Sequence, residues 1–399
     1  MKKSIKDLGD IKGKRALVRV DVNVPLDENN NVTDDTRIQA IVPTVKYLCE
    51  KGAKVILMAH LGRPKGEVKP EFSLEPVAKY MSKVLGSEVL FVKSLVGQGA
   101  DKELENLKEG QVALLENIRF YKAEEAKDDD MTFANELAKL GDFYVNDAFG
   151  AAHRCHTSTA KLAKVLKPAV SGLLMEKELR CLGSALDNPT HPFTAIVGGA
   201  KVSTKIGVLE NLIDKVDNLI IGGGMAYTFV KANGGKIGNS ICEDDQLETA
   251  KAIEAKAKAK GVNLVLATDV LVTDDFSGNG TNKVVEVNNI PDGFEGVDAG
   301  PNTQKAFADV IKSSKTILMN GPVGAFENPK FAEGTKAVLK AVVEATSNGA
   351  TSVIGGGDSV SAAKKFAKAQ DFTHVSTGGG ASLEFIEGKV LPGVDALDD

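Results

Sequence analysis

The sequence predicts an α/β protein with two doubly wound parallel sheets, and three observations support this fold class. Short apolar runs rich in β-branched residues recur along the 399-residue chain. Between them lie stretches with apolar residues at three- and four-residue intervals, which is the helical period. Glycine clusters directly follow several of the apolar runs. Strands that alternate with helices form parallel sheets covered on both faces, and ligands bind beyond the carboxyl ends of such strands.

In the first half, five apolar runs predict strands. They are RALVRVDVNV, AKVILMAH, EVLFV, QVALLEN and DFYVNDAF. The intervening stretches TRIQAIVPTVKYLCEKG and TFANELAKLGD have a helical period and a glycine at the stop. The order of these elements predicts one parallel sheet.

The second half repeats this scheme after a connecting helix. Its strand-like runs are PFTAIVGG, NLIIGGG, NLVLATDVLV, KTILMNGP, TSVIGGG and THVSTGGG. The amphipathic stretch SGLLMEKELRCLGSALDNP, which ends at Pro189, predicts a helix between the halves. We therefore expect two Rossmann-like domains, residues 1–170 and 190–388, joined by an interdomain helix and hinge over residues 171–189. A cleft is expected between the domains.

Composition and charge narrow the class of protein. The net charge of -5 argues against nucleic acid as the main partner. The amino-terminal stretch MKKSIKDLGDIKGK has no apolar run behind its basic residues, so we expect no secretory signal. No apolar run approaches the length of about 18 residues that spans a membrane. The four cysteines form no C-x-x-C pair, which is typical of reduced thiols in a cytoplasmic protein.

Arginine and glycine are divided unequally along the chain. All seven arginines lie at or before Arg180, whereas 28 of the 40 glycines lie after it. Arginine recognises carboxylate and phosphate with a planar fork of donors. Glycine lets backbone N–H groups approach a phosphate closely. The two halves therefore are expected to hold anions by different chemistry.

In the glycine-rich half, the stretch IVGGAKVSTKIG places Lys201 and Lys205 behind a Gly-Gly turn. It matches neither G-x-x-x-x-G-K-[ST] nor G-x-G-x-x-G. Four glycine clusters follow strands and open helices, and helix N-termini of this kind attract phosphate. Asp358 suits a magnesium ion and Glu327 suits ribose hydroxyls. The alternatives are tight turns for the glycines, a helix cap for Asp358 and solvated lysines on a first helical turn.

In the arginine-bearing half, basic side chains gather at the predicted strand ends. They are Arg37, Arg63, Arg119, Arg154, His60, His153 and His156. Asp21 and Asn23 follow the first strand and suit a substrate hydroxyl. This set favours a small acid with several negative charges, and the alternative is a collection of salt bridges and core histidines. We expect Arg15, Arg19 and Arg180 to be structural.

The ordered set of motifs resembles the phosphoglycerate kinase family. The strings are RVDVNVP, DDTRI, HLGRP, ENIRF, DAFGAAHRCHTS, GGAKVSTKI, GGGMAYTF, DAGP, NGPVGAFE, GGGDS and HVSTGGGASLEFIEGK. The resemblance covers the chain from about residue 10 to its end. Two positions depart from the family: Met319 stands where tryptophan is common, and Thr204 stands where aspartate is common. Neither position carries a chemical role here.

The resemblance implies a phosphotransferase with a carboxyl group as acceptor. It implies reversible, Mg²⁺-dependent transfer between ATP and 3-phosphoglycerate in glycolysis, giving ADP and 1,3-bisphosphoglycerate. It also implies a monomer that closes about a hinge, with residues 389–399 returning to the first domain.

The resemblance further implies roles for individual residues. The 3-phosphoglycerate site comprises Asp21, Val22, Asn23, Arg37, His60, Leu61, Gly62, Arg63, Arg119 and Arg154. The nucleotide site comprises Lys205, Gly296, Glu327, Gly356, Gly357, Asp358 and Ser359, with Asp358 also the metal ligand. The catalytic residues implied are Arg37, Lys201 and Gly379.

The chemistry of such a reaction agrees with the residue types present. A carboxylate with a pKa of about 4 attacks without a general base, and the motifs offer no obvious one. The reaction requires positive groups around the transferred phosphoryl group, because these groups stabilise its negative charge. Lysines, arginines and backbone amides meet this requirement. A dehydrogenase, an anion-binding protein without chemistry and a noncatalytic relative remain as alternatives.

Overall fold

The computed structural model describes residues 2–399. Contacts divide the chain into two compact units. One runs through Leu179 and takes in Val390–Asp399, and the other is Arg180–Lys389. Within the described residues, no helix combines the length and the apolar character needed to cross a membrane.

The first unit is built on a six-stranded parallel sheet. Its strands are β1 (Arg15–Val20), β2 (Lys54–Met58), β3 (Val89–Val92), β4 (Val112–Leu115), β5 (Phe143–Asp147) and β6 (Ala169–Ser171). Their spatial order is β3-β4-β2-β1-β5-β6. In β1, Leu17 faces one apolar core while Val18 and Val20 face the other. Both faces of the sheet are thus buried, which explains the continuous apolar runs in the sequence.

Helices cover both faces of this sheet. They are α1 (Thr36–Glu50), α2 (Glu75–Leu85), α3 (Gly97–Leu104), α4 (Thr132–Ala138), α5 (Leu162–Val165) and α6 (Leu173–Asp187). Helix α1 buries Ile38, Ile41, Val45 and Leu48 because these residues recur at three- and four-residue intervals. The division between the two units falls inside α6.

The carboxyl-terminal segment packs on the first unit. The amide of Gly393 donates to the carbonyl of Ala152 at 2.8 Å, and the Asn146 amide donates to the carbonyl of Gly393 at 3.2 Å. Farther on, the amide of Asp398 donates to the carbonyl of Ala169 at 2.8 Å. Backbone hydrogen bonds therefore tie residues 393–398 to β6 and to the loop after β5, and the Asn146 side chain ties them to β5.

The second unit contains a second six-stranded parallel sheet and two small sheets. In chain order its strands are β7 (Phe193–Val197), β8 (Asn218–Ile221), β9 (Lys236–Ile237), β10 (Asn263–Val265), β11 (Asp269–Thr273), β12 (Asn282–Glu286), β13 (Asn289–Ile290), β14 (Glu295–Ala299), β15 (Thr316–Asn320), β16 (Thr351–Gly355) and β17 (His374–Val375). The large sheet has the order β10-β8-β7-β15-β16-β17, while β12-β11-β14 and β13-β9 form the small sheets. The two large parallel sheets confirm the predicted fold class.

The helices of the second unit follow its strands closely. They are α7 (Ile206–Ile213), α8 (Met225–Ala232), α9 (Leu247–Ala259), α10 (Pro301–Lys312), α11 (Glu333–Ser347), α12 (Gly357–Phe366) and α13 (Gly379–Ile386), and α14 (Pro392–Asp395) follows in the carboxyl-terminal segment. The run NLVLATDVLV differs from the expected single strand. It divides into β10 in the parallel sheet and β11, which pairs antiparallel with β12 and β14.

In each large sheet, the chain first adds strands on one side of its first strand and later adds strands on the other side. In the first sheet β1 lies between β2 and β5, and in the second β7 lies between β8 and β15. The loops that leave adjacent strands at such a change of side diverge and open a crevice beyond their carboxyl ends. The loops after β1, β5, β7 and β15 are thus the places in each unit where a ligand is expected.

The carboxyl group of Asp147 holds the start of α6. Its Oδ1 accepts the amides of Leu174 at 3.0 Å and Met175 at 3.1 Å, so it satisfies two of the open N–H groups of the first turn. The side chain is fully buried, and this burial raises the pKa of Asp147 to about 7. Because the folded pKa lies above the usual value, the folded protein binds this proton more tightly than the unfolded chain does.

This arrangement predicts how Asp147→Asn changes stability with pH. The protonated Asp147 stabilises the fold, and this stabilisation is lost as pH rises from about 4 to about 7. An asparagine keeps an acceptor oxygen and does not titrate. Its unfolding free energy relative to the parent should therefore rise by about 1–3 kcal/mol between pH 5 and pH 8.

Urea unfolding of both proteins across this pH range is the measurement. Asp10→Asn, at an exposed carboxyl group of the same unit, is the control and should follow the parent. Parallel stability profiles for Asp147→Asn and the parent would show that the carboxyl group of Asp147 is ionised at little cost.

Candidate active site

Arg37 lies at the carboxyl end of β1, where α1 begins. Its Nη1 donates to the carbonyl of Asn23 at 2.8 Å and lies 3.4 Å from Oδ1 of Asp21. The amide of Asn23 donates to the same Asp21 oxygen at 3.1 Å. The loop after β1 thus holds the guanidinium with one carbonyl and one carboxylate, and the side chain remains partly exposed.

The loop after β2 is joined to the loops after β1 and β4. The amide of Gly62 donates to Oδ1 of Asn23 at 3.0 Å, and the carbonyl of Gly62 accepts from Nη1 of Arg119 at 3.1 Å. The carboxylate of Glu125 lies 3.4 Å from Nε of Arg119. These bonds join groups that are far apart in the sequence. From the sequence, the same groups are predicted to lie together at the strand ends.

Two histidines of this edge, His60 and His156, are held in the neutral form. Burial, followed by the nearby guanidinium groups, holds the pKa of His60 well below its usual value. The same causes lower the pKa of His156 to about 3. At neutral pH, His60 and His156 therefore add no positive charge to this edge.

Other predicted residues of this edge differ in the exposure of their side chains. Arg63 and Arg154 have exposed side chains. Val22 and Leu61 have buried side chains that belong to the apolar core, so a ligand would meet only their backbone.

Arg19, which we expected to be structural, has a direct connection to this edge. Its side chain is 0% exposed, and its Nη2 donates to Nδ1 of His60 at 3.1 Å. This contact is not evident in the sequence, because Arg19 stands between the apolar residues Val18 and Val20 in β1. Only the adjacency of β1 and β2 shows it.

In the second unit, glycine backbones pack directly against each other at the carboxyl ends of the strands. At Gly321, whose φ is +108°, an added Cβ would lie 2.1 Å from the carbonyl oxygen of Gly198. Only glycine adopts this backbone conformation without strain and allows this approach. The loops after β7 and β15 therefore meet backbone to backbone, and each leads toward a helix N-terminus.

Lys205 lies at the N-cap position of α7. Its ammonium group donates to the Asn320 side-chain carbonyl, and the Asn320 amide donates to the carbonyl of Gly355 at 3.2 Å. Burial lowers the pKa of Lys205, and the carboxylates of Asp358 and Glu387 oppose this effect. Asn320 is a site residue that sequence reasoning missed, although it stands in the quoted motif NGPVGAFE.

Lys201 has a different setting from Lys205. It is exposed on the loop before α7 and is not on the first turn of that helix. Glu243 holds this loop, because its carboxylate accepts both the amide of Ser203, at 3.0 Å, and the hydroxyl of that serine. The fixed loop leaves the Lys201 ammonium group available to a ligand.

Asp358 stands in the first turn of α12, and Gly356 occupies the N-cap position. The side chain of Asp358 is exposed, and because Gly356 is the N-cap residue and no side chain caps α12, the alternative of a helix cap does not apply to Asp358. An added Cβ at Gly379 would lie 3.6 Å from the amide nitrogen of Gly357, which places the starts of α12 and α13 side by side. Ser359 points inward, where its hydroxyl accepts the amide of Gly321.

A cavity of about 310 Å³ opens next to these helix starts. Asp358, Glu327 and Gly296 line it, together with the half-exposed apolar side chains of Ile241 and Phe276. An added Cβ at Gly296 would lie 2.1 Å from the Tyr227 hydroxyl oxygen, so glycine is required for the cavity wall. The cavity combines an apolar surface with a carboxylate at Glu327, a combination that suits a base and a ribose.

The sequence matches a family model described as phosphoglycerate kinase over residues 5–389. The chain belongs to the phosphoglycerate kinase family. It is 54% identical to "Phosphoglycerate kinase, cytosolic" of Nicotiana tabacum, with 100% of this chain and 99% of that protein covered.

Solved structures of phosphoglycerate kinases share the fold. The enzyme of Coxiella burnetii is 41% identical and gives a TM-score of 0.91, with 99% of this chain and 98% of that one covered. The enzyme of Pyrococcus horikoshii OT3 is 31% identical and gives a TM-score of 0.80 over the same shares of the two chains.

The family assignment establishes the reaction. As a phosphoglycerate kinase, the protein is a phosphotransferase of glycolysis that moves a phosphoryl group reversibly between ATP and the carboxylate of 3-phosphoglycerate. The products are ADP and 1,3-bisphosphoglycerate. The dehydrogenase, the anion-binding protein without chemistry and the noncatalytic relative are thereby excluded.

Proposed function

We propose that the first unit binds 3-phosphoglycerate and the second binds the nucleotide. The observation that carries this proposal is the division of anion-binding groups: guanidinium groups at the carboxyl edge of one sheet, and glycine turns with lysines at the carboxyl edge of the other. A guanidinium fork matches carboxylate and phosphate oxygens. Glycine turns at helix N-termini cradle phosphates.

The contacts of the first unit support its proposed ligand. In this proposal Arg37, held beside Asp21 and Asn23, orients the carboxylate, while Asp21 and Asn23 bind the hydroxyl group. The exposed guanidinium groups of Arg63 and Arg154 and the anchored group of Arg119 hold the phosphate. His60 contributes a neutral N–H donor. Backbone groups of Val22, Leu61 and Gly62 complete the acid site.

The contacts of the second unit support the nucleotide assignment. Lys205, anchored by Asn320, holds the phosphates of the bound nucleotide next to the amides of Gly356 and Gly357. The backbone of Ser359 belongs to the same helix start. Glu327 and Gly296, which line the cavity, bind the ribose and the base.

The residues present fit a magnesium ion that travels with the nucleotide. Among residues 2–399, no three His, Cys, Asp or Glu side chains gather as a metal cage. Mg²⁺ commonly takes one or two carboxylates and completes its shell with phosphate oxygens and water. Asp358, exposed beside the proposed phosphate site, is suited to supply that carboxylate. When bound, the ion would neutralise charge on the phosphates.

The transfer also requires stabilisation of the negative charge that develops on the moving phosphoryl group. We assign it to Lys201, Arg37 and the amide of Gly379 at the start of α13. The attacking carboxylate is ionised at neutral pH, so no base is needed. Donors that are fixed before the reaction stabilise the moving group without reorganisation.

Three further properties belong to the proposal. The two sets of groups lie on different units, so we propose that the units move about residues 171–189 during turnover. We also propose a monomeric enzyme. The cytosolic relative of Nicotiana tabacum supports a cytoplasmic location.

Removal of an exposed arginine should affect one ligand only. Arg63→Ala removes a guanidinium group with an exposed side chain, so the fold should be unchanged. Loss of a charge-assisted contact should raise the dissociation constant of 3-phosphoglycerate by about one to two decades. Isothermal calorimetry should show an unchanged dissociation constant for ATP.

The matched control is Arg15→Ala, at the opposite end of β1, which should bind both ligands like the parent. Equal weakening of 3-phosphoglycerate and ATP by Arg63→Ala would contradict separate anion sites.

The two lysines should give different kinetic effects. Lys205 is assigned to the ground state, so Lys205→Ala should raise the KM and the dissociation constant of ATP. Lys201 is assigned to developing charge, so Lys201→Ala should mainly lower kcat, by roughly two to three decades. Steady-state kinetics and nucleotide binding measure both effects.

Substitution of either lysine by arginine keeps the charge and tests the geometry. If the kcat of Lys201→Ala stays within about threefold of the parent, the lysine contributes less than about 0.7 kcal/mol and is not catalytic.

The carboxylate of Asp358 should set the magnesium requirement. Asp358→Asn keeps the size of the side chain and removes its charge, so the fold should persist while the Mg²⁺ concentration for half-maximal activity rises. Glu75→Gln, in the first turn of α2, is the control for a helix-terminal acid elsewhere. An unchanged magnesium titration of Asp358→Asn would exclude Asp358 as a metal ligand.

A further inference from the structure

Arg19 is the largest fully buried side chain of the described residues, and it lies in the central strand of the first sheet. A buried guanidinium is stable only when its N–H groups find acceptors. Its Nη1 donates to the carbonyl of Val20 at 2.5 Å, its Nε to the hydroxyl of Ser158 at 2.8 Å and its Nη2 to His60 at 3.1 Å. Three acceptors thus fix the plane of the guanidinium group.

The bond between Arg19 and His60 determines which ring nitrogen of His60 carries hydrogen. A guanidinium group donates and never accepts. Nδ1 of His60 therefore has to offer its lone pair, and a neutral ring then has its hydrogen on Nε2. The opposite tautomer would set an N–H against an N–H. The cationic ring is disfavoured for the same reason and by the burial that lowers the pKa of His60.

Ser158 holds Arg19 in place, and Glu124 holds Ser158. Because the Ser158 hydroxyl accepts from Arg19, its own hydrogen is free to point to Oε1 of Glu124, 2.5 Å away. The amide of Ser158 donates to Oε2 of the same carboxyl group at 2.9 Å. The carbonyl of Ser158 accepts from the Tyr144 hydroxyl at 2.7 Å. All of these groups are buried.

This buried chain of Glu124, Ser158 and Arg19 does not depend on the charge of Glu124. Burial raises the pKa of Glu124 to about 7. If the carboxyl group takes up a proton at Oε2, Oε1 remains a carbonyl oxygen that accepts from the Ser158 hydroxyl. The hydrogen bond from Arg19 to Ser158 and the bond from Arg19 to His60 are unchanged in either state.

We propose that Glu124, Ser158 and Arg19 are positioning residues that hold His60 in the Nε2–H tautomer. His60 then presents a neutral donor, and not a lone pair, to an anionic oxygen of the substrate. The binding role of His60 rests on the function proposed above, whereas the tautomer rests on the hydrogen bonds alone. The two parts can therefore fail separately.

The test begins with the folded parent enzyme and long-range proton–nitrogen NMR of its histidine rings. Comparison with His60→Gln identifies the His60 signals. We expect an unprotonated Nδ1 and a protonated Nε2, without titration between pH 6 and pH 8. A protonated Nδ1, or a ring that becomes cationic in this range, would overturn the assignment.

The second step removes the link between Arg19 and Glu124. Ser158→Ala should give His60 a mixture of tautomers and raise the dissociation constant of 3-phosphoglycerate about tenfold, while ATP binding is unchanged. Ser171→Ala is the matched control, because Ser171 is also a buried serine of this unit. Its hydroxyl donates to the carbonyl of Lys3 and not to the buried chain. Ser158→Cys, which keeps the shape of the side chain and replaces the hydroxyl by a weak acceptor, is used instead of Ser158→Ala if that variant does not fold.

The outcomes are distinguishable. A folded Ser158→Ala with an unchanged His60 spectrum and unchanged substrate affinity would overturn the positioning role. If His60→Gln binds 3-phosphoglycerate as the parent does, the binding role of His60 is wrong, even where the spectrum shows the Nε2–H tautomer.

Discussion

The common direction of the strands is the constraint on which both sets of anion-binding groups depend. When all strands of a sheet run parallel, their carboxyl ends lie at one edge, and so do the loops that follow them. In the first unit this brings the loops carrying Asn23, Gly62 and Arg119 into hydrogen-bond contact. In the second unit it brings Gly198 against Gly321. Residues distant in sequence thus meet without any dedicated local motif.

The two units provide positive potential in different ways. In the first unit, Arg37 and Arg119 donate to backbone carbonyls, at Asn23 and Gly62. These bonds fix the guanidinium planes, while the carboxylates of Asp21 and Glu125, each 3.4 Å from one guanidinium nitrogen, offset part of the positive charge. In the second unit, the partial charges of backbone N–H groups at helix starts serve the same purpose. That arrangement requires glycine, because neighbouring loops leave no room for a Cβ at Gly321.

The sequence sufficed to predict the fold class and most of the strands, because period and length are local properties. It failed at NLVLATDVLV because an apolar run indicates a strand but not the partner of that strand. Arg19 and Asn320 were missed for a related reason. Their partners, His60 and Lys205, come from other strands or loops, and an asparagine or a strand arginine carries no signal of its partner. The proposed roles of the site residues remain predictions.

The protonation states have a consequence for the reaction. Arginine does not titrate in proteins, so the positive charge of the first unit is constant around neutral pH. Burial, followed by this positive charge, lowers the pKa of His60 and His156 and keeps both rings neutral. In the second unit, the carboxylates of Asp358 and Glu387 oppose the loss of the proton from Lys205. The attacking carboxylate of the substrate is already ionised. In the proposed mechanism, no group in either set gains or loses a proton during transfer, and the proposed task of the protein is to hold fixed donors in place. The anchoring of Arg37, Arg119 and Lys205 by carbonyl and amide oxygens supports that proposal.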